Sequence, residues 1–348
     1  MRRNTVKLLL AGSFVLSLLV GWASEGPTAT QTKNIFLGAT SSSSGYFPVC
    51  VTNARIINRN IPEVRVTVLE TGAAHDNIQR IGKGQAQLAD VTGYDAVVLA
   101  YQGLYQYKNK AMKNLRILFL EGKSFLSIVV RADSGVKNLA DLQGKRFHTG
   151  IHGTTAEFTT RLLLEQFGIK PVYVYGSLAD AIEMVKEGRV VGLSKSSAAA
   201  SGALDASVLE IKSFTPVRLV SLTEEEMKKA LQLIPGQGRF DLPSGNPFSK
   251  SVGQEEPLLT LTMAHGMFGT SELSEELVYK MIRAIVTNWK TDLAPVRADL
   301  RDWEVMEKTI EVAAEVATPV PLHAGVVKYF TEKGFKVPTS IIPPEWKK

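Results

Sequence analysis

The chain has one cysteine in 348 residues, Cys50, so it can form no intramolecular disulfide and must be held together by buried cores. It lacks a Gly-Lys-Ser/Thr phosphate loop and a dinucleotide fingerprint with three glycines in frame. Neither a Gly-x-Ser-x-Gly elbow nor a Ser-x-x-Lys pair occurs where it would support a nucleophile, which argues against a hydrolase. Beyond Val20 no apolar run approaches the roughly 20 residues that a membrane-spanning helix needs. Charge of one sign is also scarce: the formal net charge is +6, and Arg2, Arg3 and Lys7 contribute three of it, leaving +3 after the first residues. A balance that mild does not point to nucleic acid.

The start of the chain is a leader. Met1 to Lys7 is basic, Leu8 to Val20 is almost wholly apolar, and Gly21-Trp22-Ala23 places small residues before a cut. This is the pattern of a secretory signal peptide, 1–23, and predicts a periplasmic mature protein from Ser24 with no membrane insertion after cleavage. No cysteine lies near the cut, so no lipid anchor is expected. Cys50 falls on the apolar face of the first helix and reads as a core residue.

The mature chain repeats one grammar. Ile35-Phe36-Leu37 runs into the small-residue stretch Gly38 to Pro48, and Phe47, Cys50, Val51, Ala54 and Ile57 then follow helical spacing. A strand, a Gly/Ser loop and a helix start present unpaired backbone N–H groups and a positive dipole end, which together suit an anion. Val64 to Leu69 leads to the Thr71-Gly72-Ala73-Ala74 loop, and Leu88 to Val91 to the Thr92-Gly93-Tyr94 loop. Strands alternating with helices predict an α/β fold with a mainly parallel sheet, whose ligands lie beyond the carboxyl ends of the strands.

Leu115–Leu120 and Phe125–Val130 read as two apolar strands, after which the grammar restarts. His152-Gly153-Thr154-Thr155 opens a helix, Ser177 to Asp180 is a capping-box start, and Val190 to Leu193 is a strand ending in Ser194-Lys195-Ser196-Ser197. Pro235 to Pro257 is rich in Gly, Pro and Ser and reads as an extended connection; Leu258 to Ala264 returns as a strand and Glu275 to Trp289 as a helix. Such a chain leaves one domain (24–131 plus 258–348), builds a second (132–257) and re-enters the first, so that two crossings make a hinge around a cleft.

Thr71-Gly72 with Asn77, Val130 to Gly135 followed by Leu139 to Arg146, Gly153-Thr154-Thr155, and Pro321 to Gly325 with Tyr329-Phe330 and Gly334 resemble the TAXI family, the extracytoplasmic solute receptors of one class of TRAP transporters. The resemblance covers the mature chain in motif order. It implies a two-domain periplasmic-binding-protein fold of the type II kind, two α/β domains joined by two crossing strands. It further implies reversible delivery of glutamate, glutamine or a related small carboxylate to a sodium-driven TRAP permease, with no catalysis and no cofactor. Carried over by position, the ligand-binding residues would be Ser41, Ser42, Ser43, Ser44, Gly45 and Tyr46; Thr71, Gly72 and Ala73; Thr92 and Tyr94; and Gly153, Thr154 and Thr155. The chain departs from the family at Ala73, where a second glycine is usual, and at Gly192-Leu193-Ser194-Lys195, where an acidic or aromatic sequence is usual.

Two residues join these on their own chemistry. Lys195 is a cation embedded in small residues beside the expected cleft, and His152 shares a ligand loop. His148 and His152 are four apart but flank a glycine-containing segment without a third ligand, so no metal site is expected. His75 is expected at the cleft, and His265 and His323 in structural roles. The readings open besides a transport receptor are a ligand-dependent partner of a membrane sensor and a periplasmic hydrolase. N-terminal sequencing of the exported protein should begin near Ser24; an intact leader recovered from a membrane fraction would contradict the periplasmic assignment.

Overall fold

A computed structural model describes residues 32–198, 206–315 and 320–347; the leader lies outside them. Strand β1 (Lys33–Gly38) pairs in parallel with β2 (Val64–Leu69) and β3 (Leu88–Gly93), with helices Phe47–Asn60 and Ala74–Gly82 as the crossovers. These are strand–helix–strand units, because apolar alternation in each strand is followed by a small-residue loop and then by helical spacing. Strand β4 runs from Leu115 to Arg131 as one element of 17 residues, where two strands were expected, because the residues between the two apolar runs also pair in the ladder.

The second half supplies β5 (Arg146–His148), β6 (Val172–Val174), β7 (Gly192–Ala198), β8 (Val217–Leu219), β9 (Gln237–Leu242) and β10 (Leu258–Thr270). The ten strands form a sheet in the order β2-β1-β3-β10-β4-β7-β5-β6, with β8 on β4 and β9 on β10. Two expectations are corrected. Ser194 to Ser197 do not follow a strand but lie inside β7, where Lys195 opposes Ser127 of β4. The stretch 235–257 is not simply a connection, since it contains β9, paired with β10, and the helix Pro247–Ser251. Its composition is that of a loop, but a partner strand satisfies its backbone. The helices Leu178–Lys186 and Glu224–Leu233 do open on capping boxes, at Ser177 with Asp180 and at Thr223 with Glu226.

Buried side chains sort into three clusters. One gathers Ile35, Leu37, Ile57, Leu88, Ile117, Leu118, Leu120, Phe268, Ile282 and Phe330, drawn mainly from 35–120 and 264–341. The other two come from 125–263 and lie on opposite faces of the sheet. Strand periodicity divides them: along β4, Leu126, Ile128 and Val130 enter one cluster, and Phe125 and Val129 enter the other. β4 and β10 therefore carry the chain from the first core to the other two.

At that passage the strands must come close. β4 and β10 are antiparallel from Leu115 opposite Thr270 to Phe125 opposite Thr262, with register shifts at His265/Gly266 and Met267/Phe268. A Cβ on Gly266 would lie 2.1 Å from the Phe119 carbonyl oxygen, and one on Gly122 would lie 2.9 Å from the His265 ring. Glycine is required at both places for close approach. Gly266→Ala should destabilise the protein by about 1–3 kcal/mol through overpacking; a urea midpoint equal to that of the wild type would show that the backbone can yield there.

Candidate functional site

A cavity of about 170 Å³ opens at the carboxyl ends of β1, β2 and β3 and is closed from the other side by residues of the second half. The first half contributes Ser43, Ser44, Gly45 and Tyr46 after β1, Ala73 after β2, and Val91 and Gly93 at the end of β3. The second half contributes Ile151, Thr154 and Thr155 at the start of the helix Thr155–Gln166, Leu193 to Ser196 of β7, and Leu178 and Ala181 of the next helix. Ser124 of β4 and Met263 and His265 of β10 form the floor.

The loop after β1 owes its shape to its own hydrogen bonds. The Ser42 N–H and hydroxyl both donate to Glu70 Oε1, at 2.7 and 2.9 Å, and Ser41 Oγ reaches the same oxygen at 3.5 Å. Those bonds hold the Glu70 carboxyl below its ordinary pKa. They turn Ser41 and Ser42 outward and leave Ser43 and Ser44 on the cavity. Across the cavity Thr154 caps its helix, accepting from Glu157 N at 3.2 Å and donating to the Ile151 carbonyl at 2.8 Å.

The other residues expected to touch a ligand lie off the cavity. Thr71 Oγ1 sits 2.9 Å from the Ala39 carbonyl and 2.7 Å from Asn77 Oδ1, and Asn77 Nδ2 reaches Thr92 Oγ1 at 3.1 Å, so both threonines tie strand ends together. Gly72 N donates to Asp76 Oδ2 at 3.0 Å, and the Gly153 carbonyl accepts from His75 N at 3.0 Å, a bond between the two halves. Tyr94 is fully buried, stacked on Phe268, with its hydroxyl accepting from Val320 N. The His152 side chain is 87% exposed. His75 is buried, with Nδ1 2.9 Å from the Tyr107 hydroxyl. His323 caps the helix Ala324–Glu332, a structural role as expected.

Two lining residues had no such signal. Arg297 comes from an irregular stretch near the end of the chain, and His265, expected to be structural, lies on the cavity floor. The Arg297 guanidinium stands 3.7 Å over the Tyr46 ring. Its Nε and Nη2 donate to the two Asp299 oxygens at 2.9 and 3.1 Å. Nη1 takes no part in that pair and points along Gly45, 3.9 Å from where a Cβ would stand. The His265 ring meets Tyr46 edge to face at 5.0 Å, and burial, then the charge of Arg297, pushes its pKa down to about 4. It is a neutral imidazole at pH 7. On the second half Lys195 Nζ donates to Ser207 Oγ at 2.7 Å. Among the described residues the lining thus holds two cations and no Asp or Glu.

Beneath Thr155 the halves are also linked through Asp95, which is fully buried. Its Oδ2 accepts from Gln237 Nε2 at 2.6 Å and its Oδ1 from Thr155 Oγ1 at 3.3 Å, while the same Gln237 nitrogen reaches Thr159 Oγ1 at 2.8 Å. Among the described residues no group of three metal-ligating side chains is assembled, and no helix is long and apolar enough to cross a membrane.

The profile of the NMT1-like family matches residues 37–334, nearly the whole described chain. The chain belongs to the NMT1-like family. Among solved structures, this family member is similar to the periplasmic binding protein BugD at 13% identity, with a TM-score of 0.52 over 87% of this chain and 97% of that one. It is also similar to the alkanesulfonate-binding protein SsuA from Xanthomonas axonopodis pv. citri bound to MOPS, at 15% identity, covering 90% and 96%, TM-score 0.44. An ancestral arginine-binding protein bound to arginine matches at 15% identity, covering 75% and 94%, TM-score 0.44. The likeness to BugD shows the fold: this NMT1-like chain is a periplasmic binding protein in architecture, two α/β halves joined by β4 and β10.

Burial raises the Asp95 carboxyl from its ordinary 3.8 to about 6, against the bonds from Gln237, Ala96 N and Thr155. A folded-state pKa above the unfolded one gives stability that is present at low pH and lost as pH rises through 6. Relative to Asp95→Asn, which does not ionise, the wild type should therefore lose up to about 3 kcal/mol between pH 4 and pH 7. Urea unfolding of both proteins at the two pH values checks this; a difference independent of pH would mean that Asp95 titrates normally.

Proposed function

We propose that the protein is an exported solute receptor that binds a small organic acid between its two halves and hands it to a membrane transporter. The observation that carries this reading is the cavity itself. Arg297 on one side and Lys195 on the other bring positive charge to a space lined by Ser43, Ser44, Gly45 and the start of a helix, all donors, with no acid among the described lining residues. The leader and the likeness to the TAXI family support export and a TRAP-type permease as the partner. A membrane sensor would need the same binding and a different docking surface. Reversible binding without turnover is the behaviour expected of such a receptor.

The halves of the molecule suggest where closure occurs. We place the hinge where β4 and β10 pass between cores, near 121–124 and 263–265, somewhat inside the boundaries 131 and 258 drawn from sequence. The glycines at 122 and 266 lie in or beside those stretches.

A panel of organic acids, sugars and polyamines should raise the melting temperature only among the acids; a ligand at a hundred times its Kd stabilises the native state by about 2.7 kcal/mol. Arg297→Lys, which keeps the charge but loses the forked donors, should weaken the best acid about 10- to 100-fold, as expected for a charge-assisted hydrogen bond. Gly45→Leu, which fills the space beside Nη1, should abolish binding while leaving the circular dichroism unchanged. Small-angle scattering should show compaction with that acid. A shift from a sugar or polyamine and none from any acid would defeat the reading, as would product formation on incubation.

A further inference from the structure

Backbone strain in this chain is gathered at the cavity. Among the described residues five other than glycine have a positive φ: Ala73, Ala74, Val91, Tyr105 and Asn109. The first three line the cavity. Such conformations are costly for a residue with a Cβ, and they cluster where a ligand is clamped or a segment switches. Ala73 is the clearest case, since φ 63° with ψ −168° is a region that glycine alone enters freely. Ala74 follows it at φ 25°.

This pair spans two points of attachment to the second half. Gly72, just before it, packs so closely on the loop ahead of the helix Thr155–Gln166 that a Cβ there would lie 2.8 Å from the His152 carbonyl oxygen. His75, just after it, donates its N–H to the Gly153 carbonyl at 3.0 Å, and its ring meets Phe158 edge to face at 4.9 Å. Bonds within the first half also shape the turn. The Ala73 N–H donates to Thr71 Oγ1 at 3.1 Å, and the Ala73 carbonyl accepts from Asp76 N at 2.9 Å and from Asn77 N at 3.2 Å. Those bonds survive a separation of the halves; the anchors at Gly72 and His75 do not. Parting the halves therefore lets Ala73 and Ala74 relax, and bringing them together strains the pair again. A ligand that binds only the closed form has its affinity lowered by the cost of reaching that form.

We propose that the turn from Gly72 to His75 is a spring that opposes closure: contact between the halves holds Ala73 and Ala74 in a strained backbone, and release of that strain favours the open form, from which the solute leaves. This rests on the receptor reading above, in which the halves close on an acid, and adds what lowers the affinity and drives the opening.

Small-angle scattering without ligand and calorimetry with glutamate and pentanedioate test it. Ala73→Gly, which removes the cost of the positive φ, should make the ligand-free protein more compact and tighten whichever of the two acids binds by about tenfold. Gly72→Ala, whose methyl would stand against the His152 carbonyl, should act the other way and weaken the same acid by about tenfold, with the circular dichroism of the wild type. Asn109→Gly relieves a φ of 63° in an exposed turn that does not line the cavity, and should change neither scattering nor Kd. Ala73→Gly with wild-type scattering and a wild-type Kd would overturn the proposal, since the strain would then be equal in the open and closed forms. So would an equal tightening by Asn109→Gly. If the wild type binds neither acid, that counts against the organic-acid reading alone, because ligand-free scattering decides the strain by itself.

Discussion

The pairing of β4 with β10 is the constraint on which the rest depends. These two strands are the long elements of the sheet, and each serves a different core at its two ends. Because strand side chains alternate, one backbone can feed both faces of the second half and then continue into the first without a turn. The floor of the cavity, Ser124, Met263 and His265, is the stretch where that change occurs. Close approach there requires Gly122 and Gly266.

Charge in the site is arranged by burial and by partner choice. Arg297 is held in one orientation: Asp299 takes two of its nitrogens and Tyr46 supports its face, which fixes the guanidinium and leaves Nη1 toward the loop. His265 beside it stays neutral because it is buried next to a cation. Behind the floor the carboxyls move the other way. Burial raises the Asp90 carboxyl, and Glu121 is raised well above its ordinary value by burial and by Asp90. Among the described residues, acid groups around the cavity are thus kept out of its lining or tied up.

Much of the fold was legible because its signals are local. Alternation over Val64–Leu69, small residues after each strand, and capping boxes at Ser177 and Thr223 act within a few residues and survive any tertiary context. Where a signal depended on a distant partner the reading failed. β9 carries loop-like composition and becomes a strand because β10 supplies its bonds, and Lys195 lies within β7 because β4 pairs alongside it. The serine loop was found as a whole, yet which serines face the cavity depends on Glu70, a residue at the end of another strand.

By itself the sequence determined the α/β class, the succession of strand, small-residue loop and helix, and the burial of Cys50. Each follows from composition and spacing within single elements. Only the tertiary structure decided that Arg297 and His265 join Tyr46, and that Thr71 and Thr92 hold strand ends together while Tyr94 is buried in the core. The contacts of Tyr46 with His265 and of Tyr94 with Phe268 depend on the chain's return through β10, which brings residues far apart in sequence together, and no local pattern records such a contact.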